Sequence, residues 1–250
     1  MFRDEFLAVC KAAETKTNFG KENLTGYILS AMMAGLFISF GSFVAFTLGA
    51  YINSGFPAFT KAAQAFAFAA ALSLVVMAGA ELFTGNNFVL GAAVLRKKLS
   101  WQEAARLWGI CWLGNLVGSW IAVLLFRLSG VPTGDVGAYF GTLAAGKAAL
   151  SPIALLARAI LCNILVCLAV WCGIRMKTES GKLIMIFWCI FVFMVCGFEH
   201  SVANMSVIGV GLFQGTVGFG GYLYNLLLAS IGNMIGGVLF VAWPYERISR

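Results

Sequence analysis

Glu81–Asn87 (ELFTGNN) places a carboxylate, a hydroxyl and two amides inside an apolar stretch that runs from Ala65 to Leu95. Glu199–Asn204 (EHSVAN) does the same inside a second apolar stretch, Leu183–Phe213. Each stretch is longer than the ~20 residues that a helix needs to cross the hydrocarbon core of a membrane. Polar, non-helical backbone is tolerated at that depth only inside protein or beside a cavity. The two segments therefore predict membrane helices that are broken within the protein.

The two segments belong to an internal repeat, because the chain matches itself at one ungapped offset of 118 residues. The matched pairs are Gly79 and Gly197, Glu81 and Glu199, Asn86 and Asn204, Gly114-Asn115 and Gly232-Asn233, and Gly118 and Gly236. We predict a first repeat over residues 24–126 and a second over 145–245, within one transmembrane domain of residues 1–250. Three spans per half make the repeat inverted, because an odd number of crossings reverses the starting side.

The composition predicts an all-α polytopic membrane protein. Only 11% of the 250 residues are charged and 61% are hydrophobic, and the mean hydropathy is +0.90. These values exclude a soluble, a disordered or a disulfide-rich secreted chain. At ~20 residues per crossing, six transmembrane helices are expected. The predicted spans are Leu24–Tyr51, Ala65–Leu95, Ala104–Phe126, Ile153–Gly173, Leu183–Phe213 and Tyr222–Val241.

The cationic residues predict the orientation of these spans. Thirteen of the 17 lysines and arginines lie at the termini or near residues 96–106 and 175–182; the other four are Lys61, Arg127, Lys147 and Arg158. The positive-inside rule therefore places both termini in the cytoplasm. Residues 1–23 have apolar side chains at helical spacing, which predicts an amphipathic helix in the membrane interface, in contact with lipid. No basic-aromatic patch accompanies the net charge of +7, so nucleic acid is not an expected partner.

Metal-binding and catalytic patterns are missing from the sequence. The seven cysteines form no CxxC pair and the chain has a single histidine. We therefore predict reduced, packed cysteines, no metal site and no cofactor. A lone histidine without a serine–aspartate motif also argues against an enzyme.

The single histidine, His200, is predicted to lie near the middle of the membrane, where an ionisable side chain indicates function. The imidazole could give a proton to an anion, or the imidazolium could attract it; the sequence leaves both routes open. Asn86 and Asn204 are predicted N-caps of restarting half-helices, whose N-termini favour an anion. Glu81 and Glu199 are predicted to accept hydrogen bonds at the breaks rather than to carry protons.

Four motifs, in this order and spacing, resemble the formate/nitrite transporter family: Glu81–Gly85 (ELFTG), Gly114–Gly118 (GNLVG), Cys162–Trp171 (CNILVCLAVW) and Gly197–Met205 (GFEHSVANM). The resemblance covers nearly the whole chain. It implies an aquaporin-like protomer with its own pore, a homopentamer, and passage of small monovalent anions or their conjugate acids, such as nitrite, formate or hydrosulfide, across the bacterial inner membrane. The chargeless outer loop Gln214–Gly221 looks more like the nitrite branch of the family than the formate branch.

The resemblance also implies which residues line the pore. By motif, His200 and Thr84 form a central pair, Asn163 lines the pore nearby, and Lys147 lies in a loop at the outer vestibule. Spacing from the motifs assigns the apolar constrictions, which are Phe68 and Phe193 on the outer side and Leu72, Phe83 and Val166 on the inner side.

Two other transport mechanisms are alternatives to a pH-gated or proton-coupled anion channel. A proton-coupled secondary transporter with alternating access would require halves that move against each other. A neutral-solute channel of aquaporin type would be expected to carry Asn-Pro-Ala at both breaks, and neither break contains proline. The channel is therefore the leading interpretation, with the secondary transporter as its alternative.

Overall fold

The computed structural model describes residues 1–250, and every regular element in it is helical. The helices are α1 (Arg3–Glu22), α2 (Leu24–Asn53), α3 (Pro57–Ala78), α4 (Phe83–Leu95), α5 (Trp101–Leu128), α6 (Gly134–Ala148), α7 (Pro152–Arg175), α8 (Glu179–Val195), α9 (Ser201–Phe213), α10 (Phe219–Gly237), a π-helical turn (Val238–Ala242) and α11 (Trp243–Ile248). Five of the helical segments are long and apolar enough to cross a membrane: α2, α3, α5, α7 and the continuous segment Phe219–Ile248. The all-α class predicted from the composition is confirmed.

Non-helical segments separate α3 from α4 and α8 from α9. Gly79 and Gly197, which are matched in the sequence repeat, have φ angles of 77° and 68° in these segments. Only glycine adopts such angles without strain, so each glycine ends the helix before it. The interruptions span residues 79–82 and 196–200, so they begin before the polar segments Glu81–Asn87 and Glu199–Asn204 and overlap only the first residues of each.

The prediction that Asn86 and Asn204 cap restarting helices is wrong. Helix α4 begins at Phe83, three residues before Asn86, and helix α9 begins at Ser201, three residues before Asn204. The first backbone N–H of each helix is satisfied from a different helix, because the side chains of Asn115 and Asn233 accept those bonds. Both predicted caps therefore lie within the first turn, where their side chains are free to bind elsewhere.

Glycines bring α5 close to α2 and α10 close to α7. A Cβ atom at Gly118 would overlap the carbonyl oxygen of Met32 in α2, and one at Gly236 would overlap the carbonyl oxygen of Ile160 in α7. Small residues at such positions let two helix backbones approach closely in a membrane protein. The two glycines occupy matched positions in the repeat, so each half of the chain contains an equivalent pair of closely packed helices.

Helix α1 packs against protein along its apolar face. Phe6, Val9, Cys10 and Ala13 are almost completely buried, and the Phe6 ring lies 6.4 Å from the Trp171 ring of α7, between centroids. Burial raises the pKa of the Cys10 thiol to about 11, because apolar surroundings disfavour the thiolate. The helix expected over residues 1–23 is present, and the face predicted to contact lipid is covered by the chain itself.

Candidate functional site

Thr84 and His200 meet at the centre of the molecule, one from each half of the chain. His200 directly precedes α9 and Thr84 is the second residue of α4, and their Nε2 and Oγ1 atoms are 2.9 Å apart. Both residues are buried, with 3% and 0% of their surface exposed. The pair predicted to lie together is therefore brought within hydrogen-bonding distance.

The hydrogen bonds of His200 fix its tautomer. Its Nδ1 accepts a bond of 3.0 Å from the backbone N–H of Ala203, so that His200 caps the N-terminus of α9. In the neutral ring the hydrogen must then be on Nε2, which donates to Thr84 Oγ1. The hydroxyl hydrogen of Thr84 is left available for another acceptor, because the Oγ1 atom makes no other hydrogen bond within the chain.

An aromatic ring lies against the imidazole of this pair. The Phe193 ring lies 6.1 Å from the His200 ring, between centroids, and nearly parallel to it, and Phe68 meets Phe193 edge-on at 5.8 Å. All five residues predicted as constrictions are at most 3% exposed, and these are Phe68, Leu72, Phe83, Val166 and Phe193. The predicted constriction residues are therefore buried, and one of them, Phe193, lies against the imidazole.

Two cavities lie near the pair, and they share no lining residue. The Lys16 cavity, of about 510 Å³, is lined by Lys16, Leu72, Glu81 and Asn86 among others. The Lys147 cavity, of about 310 Å³, is lined by Lys61, Lys147, Arg158 and Glu199 among others. Neither cavity is lined by Thr84 or His200, but Gly85, directly after Thr84, lines the Lys16 cavity, and Glu199, directly before His200, lines the Lys147 cavity. The central pair therefore lies next to both cavities without being part of either lining.

Each break carries the same ion pair and amide contact. Lys16 Nζ lies 2.6 Å from Glu81 Oε1, and Asn86 Nδ2 donates to the other carboxylate oxygen at 2.8 Å. In the second half, Lys147 Nζ contacts both oxygens of Glu199 at 2.9 and 3.0 Å, and Asn204 Nδ2 donates to Oε2 at 2.6 Å. The amide donors agree with what the sequence predicts, and the lysines are partners that the sequence did not indicate.

The prediction that Lys147 lies in a loop is wrong. Lys147 lies in the last turn of α6, which has the same position before α7 that α1 has before α2. Alanines in the segment Gly134–Ala148 favour a helix in spite of its glycines. Lys16 and Lys147 are 131 residues apart rather than 118, so a comparison without gaps could not match them.

Asn115 and Asn233 hold the breaks with equivalent hydrogen bonds. Asn115 accepts from the N–H of Phe83 at 2.9 Å and donates to the carbonyls of Ala31 and Glu81 at 2.7 and 2.9 Å. Asn233 accepts from the N–H of Ser201 at 2.9 Å and donates to the carbonyls of Ala159 and Glu199 at 2.8 and 3.0 Å. The pattern repeats at the offset of 118 found in the sequence, with the partners on α2 and α7 in equivalent places.

Asn163 fixes the backbone beside the central pair. Its Nδ2 atom donates to the carbonyl oxygens of Asn233 at 2.6 Å and Thr84 at 3.2 Å, and to Asn87 Oδ1 at 3.1 Å. The amide nitrogen is therefore occupied by contacts within the protein. Asn163 lies next to Thr84, as expected, and touches it through the main chain.

Comparison with known proteins identifies similar sequences over the whole length. A family model described as formate/nitrite transporter matches residues 3–246. The nitrite transporter NirC of Salmonella typhimurium is 33% identical over 249 residues, which are 98% of this chain and 91% of the relative. A probable formate transporter of Methanothermobacter thermautotrophicus is 38% identical over 246 residues, covering 90% of this chain and 89% of the relative.

Solved structures share the fold. A channel described as an FNT family ion channel superposes with a TM-score of 0.93 at 32% identity and covers 99% of both chains. A pentameric formate channel with formate bound has a TM-score of 0.81 at 27% identity, covering 91% of this chain and 98% of that one. The similarity therefore covers the fold of nearly the whole chain.

Proposed function

Because the chain belongs to the formate/nitrite transporter family, we propose that it conducts small monovalent anions, namely nitrite, formate or hydrosulfide, across the bacterial cytoplasmic membrane. The family consists of transporters and channels rather than enzymes, and the chain is a multi-pass membrane protein. The observation that carries the proposal is the Thr84–His200 pair, a buried hydrogen-bonding site between two cavities with lysines in their walls.

Six crossings with both termini in the cytoplasm are the topology that we propose. In this arrangement α3 with α4 is one broken crossing and α8 with α9 is another, and the aquaporin-like halves, residues 24–126 and 145–245, run in opposite directions. The equivalent bonds of Asn115 and Asn233 support two related halves. The lysines that pair with Glu81 and Glu199 lie in α1 and α6. If these helices are included, the first repeat would begin with α1 and the second with α6.

A homopentamer with one pore in each protomer is the proposed assembly, as in the pentameric formate channel to which the chain is similar. Helix α5 presents a lengthwise row of exposed apolar side chains, Leu113, Val117, Ile121, Leu124 and Leu128. Such a row fits contact with lipid or with a neighbouring subunit rather than with water.

In the proposed mechanism the Thr84 hydroxyl is the group that meets the substrate. Its oxygen accepts from His200, so its hydrogen is directed to a carboxylate, nitrite or hydrosulfide. A hydrogen bond to a charged group contributes about 1.5–3 kcal/mol. That contribution offsets part of the cost of bringing an anion between the Phe68–Phe193 contact and the apolar side chains of Leu72, Phe83 and Val166.

His200 couples proton and anion in this mechanism. Without an anion, the neutral ring caps α9 through Nδ1, and protonation of Nδ1 would break the bond from Ala203. An anion at Thr84 attracts the imidazolium and compensates for that loss, so anion and proton occupy the site together. When the anion leaves, the ring loses its proton and caps α9 again.

The test is anion flux into proteoliposomes across the range in which imidazole titrates, around pH 6.5, with formate, nitrite, hydrosulfide, acetate and lactate. We expect selective flux of the small anions and loss of the pH response in His200→Asn. Thr84→Val should reduce flux roughly tenfold or more, because it removes one hydrogen bond to a charged group, whereas Thr84→Ser keeps the hydroxyl and most of the flux.

Two outcomes would contradict the proposal. If none of these anions crosses in the unaltered protein, the transport function is wrong for this chain. If His200→Asn leaves both the flux and its pH response unchanged, His200 serves only as the cap of α9.

A further inference from the structure

The two cavities differ in charge although both contain a lysine–glutamate pair. The Lys16 cavity is lined by one cation and one carboxylate, Lys16 and Glu81, so its formal charge is zero. The Lys147 cavity is lined by three cations, Lys61, Lys147 and Arg158, and one carboxylate, Glu199, which leaves two positive charges. The lysine–glutamate pair is neutral in both cavities, and only the Lys147 cavity carries additional positive charge.

The excess charge resides on Lys61 and Arg158. Glu199 is contacted through both carboxylate oxygens by Lys147, at 2.9 and 3.0 Å, so the charge of that lysine is compensated locally. Lys61 and Arg158 form no ion pair within the chain, and their side chains are exposed. They come from different helices, α3 and α7, and face one cavity from two sides.

We propose that Lys61 and Arg158 form an anion-recruiting site in the Lys147 cavity, distinct from Lys147, which is paired with Glu199. The inference rests on the proposed function and adds where the anion is first held. A cavity lined by unpaired charges of one sign concentrates ions of the opposite sign, typically by one to three orders of magnitude in on-rate. Because the Lys16 cavity has no unpaired cation, the anion is held more tightly on one side of the pore than on the other.

The proposed site binds the ionised form of the substrate. A planar guanidinium can bind a carboxylate or nitrite through two parallel N–H donors, whereas an ammonium acts as a point charge. The ligand class is therefore the small monovalent anion in its ionised form, before any proton joins it at His200. Screening by salt should weaken the recruitment, because both side chains are open to solvent.

The experiment compares Lys61→Gln/Arg158→Gln with the unaltered protein in proteoliposomes of known orientation, with nitrite and formate supplied to one side at a time. At an ionic strength of roughly 10 mM, the concentration giving half-maximal flux should rise roughly three- to tenfold when the anion enters from the side of the Lys147 cavity. It should stay unchanged for anions supplied from the side of the Lys16 cavity. At roughly 1 M salt, the difference between the two proteins should disappear.

Two control variants separate recruitment from general charge effects. Lys61→Arg/Arg158→Lys preserves both charges and should keep the original half-maximal concentration. Arg127→Gln removes one of the four cations that the sequence assigns to the same side, outside the cavity, and should have no effect. An unchanged half-maximal concentration in the double glutamine variant, or an equal rise in Arg127→Gln, overturns the recruiting site while leaving transport intact. Absence of flux in the unaltered protein overturns the proposed function instead.

Discussion

Replacing Asn233 with leucine is expected to lower the free energy of unfolding by roughly 2–6 kcal/mol. The substitution removes the acceptor for the Ser201 N–H and the donor to the Glu199 carbonyl, both next to the break before α9. The site is fully buried, so water cannot replace these bonds. Each buried polar group left without a partner costs about 1–3 kcal/mol. Thermal unfolding of the protein in detergent, followed by tryptophan fluorescence, measures the loss.

Two asparagine variants serve as controls for this result. Asn115→Leu removes the equivalent bonds of the first half and should cost a similar amount. Asn18→Leu places the same substitution at an exposed position in α1 and should change stability by about 0.5 kcal/mol or less. An unfolding temperature of Asn233→Leu equal to that of Asn18→Leu would show that the bonds across the break do not stabilise the fold.

Gly118→Ala is expected to destabilise the protein by about 3 kcal/mol or more. The added methyl group would overlap the backbone carbonyl oxygen of Met32, which cannot move aside as a side chain could. Helices α2 and α5 would have to separate, and overpacking of this kind costs typically 1–3 kcal/mol before the lost contacts are counted. The measurement is the unfolding temperature together with the yield of folded protein extracted from the membrane.

A second glycine in the same helix provides the matched control. A Cβ atom at Gly109 would meet nothing within 4 Å, and Gly109 lies in α5 as Gly118 does. Gly109→Ala should therefore be neutral, or stabilising by about 0.5–1 kcal/mol, because alanine has the higher helix propensity. Gly236→Ala should repeat the loss between α10 and α7. If Gly118→Ala and Gly109→Ala unfold alike, the close approach of α5 to α2 is not required.

The sequence predicted the parts of the structure in which a polar residue lies in an apolar stretch. Glu81 and Glu199 are such residues, and each is buried and accepts a hydrogen bond from an asparagine near a break. A membrane interior makes an unpaired polar group costly, so polar residues at matched positions indicate matched contacts. The central pair also followed from motifs, because His200 and Thr84 lie at fixed places in them.

The sequence could not predict contacts whose partners come from distant helices at irregular spacing. Lys16 is bound to Glu81 across 65 residues, and nothing in the helical pattern of residues 1–23 distinguishes it from the other lysines of that helix. The N-cap prediction for Asn86 failed for the same reason, because the amide of Asn115, on another helix, satisfies the N–H of Phe83. Propensity describes a residue within its own segment, and these contacts depend on how segments pack.

The contacts of Asn163 have a consequence for biosynthesis. Asn163, in α7, binds the carbonyl of Thr84 and the side chain of Asn87. Asn87 is synthesised 76 residues before Asn163. Over that stretch of translation, the polar first turn of α4 therefore lacks a partner that binds it in the finished protein. The insertion machinery has to shield this turn from lipid until α7 arrives.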